Sequence, residues 1–251
     1  MNLRKWFGRL LYPPFCIICD APLTGDGILC GSCRQYLNRP AGKNRCPVCF
    51  LPMDRCGCGK RLYYEQVAAP FLRDTPAKRT VDRMKFNNRL DLVRPLARCM
   101  KDALDEREIT GKIDLITYIP MDRKKERKRG YNQAKLLAEA LAAQTGLPCL
   151  PLLEKYMETP TLHETEHRLN RPGALLGAYE PLRDAIPTME GKTVLLTDDI
   201  VTTGATFNEA AKTLMIFGAE KVYGAAAMLT PKDKKKQPSG GSGSRPDVSE
   251  K

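Results

Sequence analysis

The strongest indication of the fold comes from Val194-Leu195-Leu196-Thr197-Asp198-Asp199-Ile200-Val201-Thr202-Thr203-Gly204-Ala205-Thr206. Residues 194–196 form a short apolar run after a Gly191-Lys192 turn, which is typical of a buried strand in a parallel sheet. From Ala205 onward apolar residues recur at helical spacing until Gly218. The stretch therefore predicts a strand, a turn of small residues and a helix.

The side chains of this stretch suit a phosphorylated sugar. Backbone N–H groups at a helix start are unpaired, and with hydroxyl groups they can surround a phosphate. These groups are offered by Thr202, Thr203, Gly204, Ala205 and Thr206. Asp198 and Asp199 are acceptors, so they suit the vicinal hydroxyls of a sugar or a divalent metal instead. The combination predicts a pentose 5-phosphate site.

The same thirteen residues closely resemble the phosphoribosyl-diphosphate (PRPP) signature of type I phosphoribosyltransferases. They fit its pattern of aliphatic residues, two acids, two aliphatics and Thr-Thr-Gly-small-Thr without a mismatch. The alternative is an ordinary strand-to-helix turn with a chance acidic pair. The resemblance implies PRPP binding more specifically than catalysis, because some relatives of this fold bind the ligand as regulators.

Length and charge limit the classes of function. A chain of 251 residues accommodates one large or two modest domains. Its net charge of +12 favours polyanions, and both nucleic acids and diphosphates qualify. No segment approaches the length of a membrane span, and residues 1–15 lack the apolar core of a signal peptide. We therefore expect a cytoplasmic protein with reduced thiols.

Eight of the ten cysteines lie between residues 16 and 58. Each close pair can direct two thiolates at one metal from a tight turn, and two pairs complete a tetrahedral site. The pairs are Cys16 and Cys19, Cys30 and Cys33, Cys46 and Cys49, and Cys56 and Cys58. Because the segment has few large apolar residues, bound metal would supply much of its folding free energy. Eight cysteines predict two structural zinc ions.

Other interpretations of these cysteines remain open. Disulfides are disfavoured by the missing export signal, and a redox role for one pair is a minority interpretation. Sequential pairing of the first four and then the last four requires less loop closure than a cross-braced arrangement. The spacing excludes neither arrangement.

Residues 60–110 connect the cysteine segment to the rest of the chain. The sequence predicts a strand at 67–71 and two helices separated by an Asn87-Asn88 turn. Lys85, on the first helix, could reach a phosphate, but we interpret it as part of a solvated helix face. Cys99 lies on the apolar face of the second helix, which indicates a core thiol rather than a nucleophile.

A second strand, predicted at 113–119, leads into a strongly basic segment between Arg123 and Arg129. We predict a loop there, because ligand sites of open α/β sheets collect after the strands. Solvation accounts for several of these charges. Arg123 and Arg129 are the candidates for gripping a diphosphate, to which a planar guanidinium is better matched than an ammonium. A long helix follows and stops at Gly146.

The order of these features is similar to that of the ComF (ComFC) family, whose members are linked to DNA uptake in naturally competent bacteria. The resemblance covers roughly residues 12–230. It is carried by the paired cysteines, Met84-Lys85-Phe86, Ile119-Pro120, Arg129-Gly130-Tyr131-Asn132-Gln133 and the PRPP signature.

The resemblance implies a double zinc-binding module over residues 12–60 and a phosphoribosyltransferase-like domain over residues 61–230. The expected fold class of the second domain is α/β with a mainly parallel sheet, which includes strands at 113–119, 194–200 and 221–229. Residues 231–251 are rich in Lys, Ser and Gly and cannot bury apolar surface, so we expect a disordered tail.

The segment 159–170 departs from the family pattern. It is shorter, lacks a Gln, and has His167 where the family has an Arg, with Arg168 adjacent. Related enzymes have a flexible lid in this region, so the departure bears on transferase efficiency more than on ligand binding. As metal ligands, His163 and His167 lack partners in the sequence.

The resemblance implies a Mg²⁺-dependent phosphoribosyltransferase, of the glycosyltransferase class, that moves ribose 5-phosphate from PRPP to an unidentified nucleophile. Asp198 and Asp199 would clamp the ribose hydroxyls and favour positive charge at C1. Mg²⁺ and the Arg123–Arg129 segment would neutralise the departing diphosphate. The alternative is a protein that binds single-stranded DNA and whose PRPP pocket is a sensor or phosphate site without transferase activity.

Overall fold

The computed structural model describes residues 14–25, 27–38, 45–46, 48–49, 51–56, 62–155 and 178–231. Three expectations lie outside these residues. They concern Cys58, the segment around His163 and His167, and the tail from residue 232 onward.

A five-stranded parallel sheet forms the centre of the fold. Its strands are β1 (Val67–Ala68), β2 (Phe71–Leu72), β3 (Leu115–Tyr118), β6 (Thr193–Val201) and β7 (Lys221–Leu229). The order is β1-β7-β6-β3, and β2 pairs with β7 beyond β1. The structure therefore confirms the α/β class with a mainly parallel sheet.

The strand expected at 67–71 is interrupted in the structure. β1 and β2 each contain two residues, with Ala69 and Pro70 between them. Pro70 has no N–H to donate to a neighbouring strand, which explains the break. A separate antiparallel pair joins β4 (Leu153–Lys155) to β5 (Tyr179–Pro181).

The helices within the described residues are α1 (Lys78–Phe86), α2 (Val93–Asp105), α3 (Arg123–Arg129), α4 (Gln133–Thr145), α5 (Ile186–Met189) and α6 (Ala205–Ile216). The turn expected between α1 and α2 is present, and Asn88 adopts a φ of 51° there. α4 ends at Gly146, as the sequence predicts. In the described part of the chain, every helix is too short or too polar to cross a membrane.

The prediction of a loop over the basic segment is wrong, because the structure places α3 there. The Asp122 carboxylate accepts hydrogen bonds from the N–H groups of Lys124 and Lys125, at 3.0 and 3.1 Å, and so caps the helix start. Gly130 follows the last turn with a φ of 85°. Lys, Arg and Glu are good helix formers, so a capped run of them forms a helix despite its charge.

Helices cover both faces of the sheet. The buried residues of β7 are divided between two clusters, one shared with α2 and α4 and the other shared with α6. Gly224 marks the closest contact, since a Cβ there would lie 2.5 Å from the ring of Phe207 on α6. The buried residues Cys16, Ile17 and Cys33 belong to the α2–α4 cluster, so the cysteine segment packs directly against the sheet domain.

Candidate functional site

Four cysteines of the N-terminal segment meet at one point, which we call the first cysteine cluster. Cys16, Cys19, Cys30 and Cys33 have sulfur atoms within 4.8 Å of one another, and Cys19 Sγ lies 3.7 Å from Cys30 Sγ. Four thiolates at tetrahedral corners around zinc are about 3.8 Å apart, given Zn–S bonds near 2.3 Å. The four cysteines are free thiols in a geometry that fits a zinc ion.

A second cysteine cluster contains Cys46, Cys49 and Cys56, whose sulfur atoms also lie within 4.8 Å of one another. The Cys49 and Cys56 sulfurs are 3.6 Å apart. Among the seven of these cysteines that the structure describes, the grouping is sequential rather than cross-braced. Cys58, the expected fourth member, lies outside the described residues.

The acid pair, Asp198 and Asp199, lies in the second half of β6. The backbone N–H of Asp199 donates a 2.7 Å hydrogen bond to Asp198 Oδ1. Burial, and then the neighbouring charge of Asp199, raise the pKa of Asp198 to about 8. The protonated form of Asp198 is therefore favoured at neutral pH, which limits the repulsion between the two carboxyl groups.

Lys85 of α1 forms an ion pair with Asp199. Its Nζ lies 2.7 Å from Asp199 Oδ2, and the two side chains are only 17% and 14% exposed. The interpretation of Lys85 as part of a solvated helix face is wrong, because the end of α1 lies against the carboxyl end of β6. Sequence signals for this contact are weak, since the two residues are far apart in the chain and joined only by tertiary packing.

The turn from β6 into α6 has the conformation expected of a phosphate loop. Gly204 precedes α6 with a φ of 77°, and the N–H of Ala205 donates to Thr203 Oγ1 at 3.3 Å. The positive φ favours glycine at this position, and a Cβ on Gly204 would make a tight contact of 3.2 Å with the Tyr64 hydroxyl. The side chains of the loop are exposed at Thr202, Thr203, Ala205 and Thr206.

The two candidate arginines lie at opposite ends of α3. Arg129 donates a 2.6 Å hydrogen bond to Gln133 Oε1, and its Cζ lies 5.6 Å from the centre of the Phe86 ring. Phe86 follows Lys85 at the end of α1, so Arg129 contacts the same end of α1 that carries the partner of Asp199. Arg123 is 74% exposed and pairs at 3.5 Å with Glu154 of β4. The two arginines thus contact different elements, Arg129 the end of α1 and Arg123 the strand β4.

Gln133 is a candidate functional residue to which the sequence analysis gave no role. It is fully buried, and its Nε2 finds no hydrogen-bond acceptor within the described part of the chain. An unpaired buried amide is costly, so this donor fits an acceptor that a ligand supplies. The signal available in the sequence was its place in the Arg129–Gln133 motif.

The site therefore combines three chemical features at one edge of the sheet. β3 and β6 are adjacent and parallel, so α3 and the phosphate loop both follow carboxyl ends of neighbouring strands. Carboxyl groups with a lysine lie at the end of β6, and N–H and hydroxyl groups follow in the loop. A guanidinium and a buried amide lie beyond β3. This arrangement suits a ligand with hydroxyl groups between two phosphate-containing ends.

Two family models match the chain. A double zinc ribbon domain matches residues 7–67, and a phosphoribosyl transferase domain matches residues 128–241. The first range contains both cysteine clusters, and the second contains the acid pair, the phosphate loop and the last two residues of α3, including Arg129.

Three relatives align with most of this chain. DNA utilization protein YhgH of Escherichia coli O157:H7 is 29% identical over 229 residues, which cover 85% of this chain and 96% of that protein. Competence protein ComFC of Bacillus subtilis (strain 168) is 25% identical over 232 residues, covering 83% and 91%. Competence protein F of Haemophilus influenzae is 30% identical over 190 residues, covering 66% and 81%.

Proposed function

The chain belongs to the ComF family of proteins with a double zinc ribbon and a phosphoribosyltransferase domain, and we propose that it binds PRPP with Mg²⁺. Relatives named for competence and for DNA utilization support a role in DNA uptake and natural transformation. The observation that carries the PRPP assignment is the β6–α6 junction. It offers paired carboxyl groups and, three residues later, a loop of exposed N–H and hydroxyl donors.

In this proposal the loop from Thr202 to Thr206 holds the 5-phosphate. The left-handed conformation of Gly204 exposes the N–H groups that begin α6, and the positive end of the helix dipole favours an anion there. The loop holds the phosphate in place and performs no chemistry, so its contribution to the reaction is positioning.

Asp198 and Asp199 then bind the ribose hydroxyls. During transfer, the C1–O bond to the diphosphate breaks, and its electron pair leaves with the diphosphate. A lone pair of the acceptor forms the new bond at C1, and the acceptor gives up its proton. Positive charge that develops at C1 is stabilised by the Asp199 carboxylate, and also by Asp198 once it has lost its proton. Lys85 keeps Asp199 in one orientation through the 2.7 Å ion pair.

The diphosphate is assigned to the end of the site near α3. Arg129 supplies a guanidinium fork, and Gln133 supplies the buried amide donor. Arg123 remains a second candidate whose exposed side chain would have to leave Glu154 to take part. Magnesium bound with PRPP would neutralise diphosphate charge, and the carboxylates of the acid pair are the hard oxygen ligands that it prefers.

The test of this proposal is PRPP binding measured by calorimetry with and without Mg²⁺. The double variant Asp198→Asn/Asp199→Asn should lose about 100-fold in PRPP affinity, since it removes charge-assisted hydrogen bonds to the ribose. Inorganic phosphate should bind the double variant as well as it binds the wild type. Asp102→Asn, on α2, is the control. Equal PRPP affinity in the wild type and the double variant would contradict the ribose assignment.

The double zinc ribbon is assigned two zinc ions, with four cysteines each. The first site uses Cys16, Cys19, Cys30 and Cys33, and the second uses Cys46, Cys49, Cys56 and Cys58. Elemental analysis of the purified chain should give close to two zinc ions. A metal-free chain with disulfides between these residues would contradict the assignment.

Binding of single-stranded DNA is the second candidate function. It is favoured by α3, which exposes Lys124, Lys125 and Lys128, together with the net charge of +12. Replacing the three lysines together with Ala should weaken DNA binding and flatten its salt dependence by about 0.7 per lost phosphate contact. Arg129→Ala should instead weaken PRPP and pyrophosphate. If both variants lose both ligands in parallel, one shared site replaces two.

A further inference from the structure

Helix α1 contacts the turn that carries Cys16 and Cys19, and it contacts the acid pair, at positions only two residues apart. Arg83 Nη1 donates a 2.7 Å hydrogen bond to Asp20 Oδ1, and Arg83 Nη2 donates a 2.6 Å hydrogen bond to the Ile17 carbonyl. Lys85 reaches Asp199 on the other side. A single helical turn therefore joins the metal-binding segment to the proposed ribose site.

The contacts on the cysteine side involve the metal-binding turn itself. Ile17 lies between Cys16 and Cys19, and Asp20 directly follows Cys19 with a φ of 60°. The buried Thr80 hydroxyl donates to the same Ile17 carbonyl at 2.6 Å. Thr80 and Arg83 of α1 thus both donate hydrogen bonds to one backbone carbonyl inside the turn.

The contacts on the other side fix the end of α1. The Tyr131 hydroxyl donates a 2.5 Å hydrogen bond to the carbonyl of Met84, whose side chain is fully buried. Tyr131 belongs to the connection between α3 and α4. The metal-binding turn and Tyr131 therefore both contact the turn of α1 that carries Lys85.

We propose that Arg83 is a positioning residue that couples metal loading of the first cysteine cluster to ligand binding at the acid pair. It acts through Lys85, and the inference rests on the proposed PRPP function. A turn that loses its metal loses most of its order, and with it the carbonyl and carboxylate that hold Arg83. Lys85 is then free to leave Asp199, which remains half-buried beside Asp198.

Coupling of this kind is reciprocal. If metal in the first cluster strengthens ligand binding at the acid pair, the bound ligand must stabilise metal in the first cluster by the same factor. The chain can therefore be tested from either site.

The first experiment is a double-variant cycle on PRPP affinity, measured by calorimetry on the full-length zinc-loaded chain with Mg²⁺. Arg83→Ala and Lys85→Ala should each weaken PRPP binding about tenfold. The combined variant should bind no more weakly than Lys85→Ala, because Arg83 acts through Lys85. Arg83→Lys should restore part of the loss. Arg79→Ala, an exposed arginine on the same helix, should change affinity less than twofold.

The proposal would be overturned if the loss of PRPP affinity in the combined variant, as a free energy, equalled the sum of the losses in the two single variants. Tighter PRPP binding in Lys85→Ala would overturn it too, because it would make Lys85 a competitor for the acid pair rather than a support. Asp20→Ala provides a second arm that keeps all four cysteines. It should weaken PRPP binding only while Arg83 is present.

The second experiment measures the coupling between the first cysteine cluster and the acid pair in the absence of PRPP. Zinc release to the colorimetric chelator 4-(2-pyridylazo)resorcinol should show separate phases for the two clusters. Lys85→Ala should accelerate one phase several-fold, and Arg79→Ala should leave both unchanged. If the wild type fails to bind PRPP, the proposed function fails and this measurement alone decides the coupling. Unchanged release in Lys85→Ala would overturn it.

Discussion

The two ends of the β6–α6 junction are prepared for a ligand in different ways. At the acid end, Asp199 is ion-paired with Lys85, and Asp198 accepts the backbone N–H of Asp199. At the loop end, Thr202 and Thr203 are exposed to solvent, and the conformation of Gly204 is local. A half-buried carboxylate requires a partner before the ligand arrives, whereas N–H groups at a helix start can be satisfied by water.

Because of this difference, we expect the two ends of the junction to be sensitive to different kinds of substitution. The acid end depends on a residue brought from another part of the chain, so it responds to loss of tertiary contacts. The loop end depends on backbone conformation, so it responds to substitution of the glycine. Four substitutions test this contrast.

The largest effect is expected at the loop end, from Gly204→Val. A β-branched residue at a φ of 77° is strained, and its Cβ would crowd the Tyr64 hydroxyl at 3.2 Å. We expect the free energy of unfolding to fall by about 3 kcal/mol, and phosphate binding to be lost. Urea denaturation measures the first and calorimetry the second. Gly111→Val is the control, because no atom lies within 4 Å of a Cβ there. An equal loss in both variants would remove the special role of Gly204.

At the acid end, Lys85→Met should lower the free energy of unfolding by about 2 kcal/mol, because it keeps the apolar stem but leaves Asp199 without its charge partner. Urea denaturation is again the measurement. Lys101→Met removes a lysine that is more exposed than Lys85, at 29% against 17%, and is paired with Asp105, and it should cost less than about 0.5 kcal/mol. If the two lysine variants are equally stable, the acid end is not held by the ion pair.

Asp198→Asn should stabilise the fold in a pH-dependent way. Because the pKa of Asp198 is raised to about 8, the folded chain binds more protons than the unfolded chain between about pH 4 and pH 8. Stability therefore falls as the pH rises through this window. Asparagine removes that loss, so the gain of the variant should grow from almost nothing near pH 4 to at least about 1 kcal/mol at pH 8. A pH-independent difference in urea denaturation would contradict the raised pKa.

The smallest effect is expected from Thr203→Ala. It removes the hydroxyl that accepts the N–H of Ala205 at 3.3 Å, a long hydrogen bond at an exposed position. The free energy of unfolding should fall by about 0.5 kcal/mol. Phosphate affinity measured by calorimetry should fall only a few-fold, since the backbone N–H groups remain. A loss as large as that of Gly204→Val would mean that hydroxyl groups, and not the backbone, form the loop site.

The parts of the site that the sequence predicts are those fixed by neighbouring residues. The β6–α6 junction is one continuous stretch, and its strand, glycine turn and helix occur where its pattern places them. The spacing of Cys16, Cys19, Cys30 and Cys33 likewise predicts one cluster. In both places short-range geometry decides the structure.

The contact between Lys85 and Asp199 is a part of the site that neighbouring residues in the sequence do not predict. Nothing near Lys85 in the sequence indicates that α1 packs across the end of β6, because that contact follows from sheet order and from the Arg83 and Tyr131 contacts. The misassigned α3 is a different case. Asp122 and Gly130 are ordinary helix boundary signals, and the residues between them are good helix formers despite their charge.

The position of β7 has a consequence for how the protein is made. Among the described residues, β7 is the last strand in chain order, yet it lies inside the sheet between β6 and the pair β1 and β2. Val67 of β1 pairs with Gly224, so β1 can join the sheet only after residue 224 has been synthesised. Such long-range pairing is slow and leaves apolar strand edges exposed in the nascent chain. A chain that terminates before residue 221 therefore lacks an interior strand of its sheet rather than an edge strand.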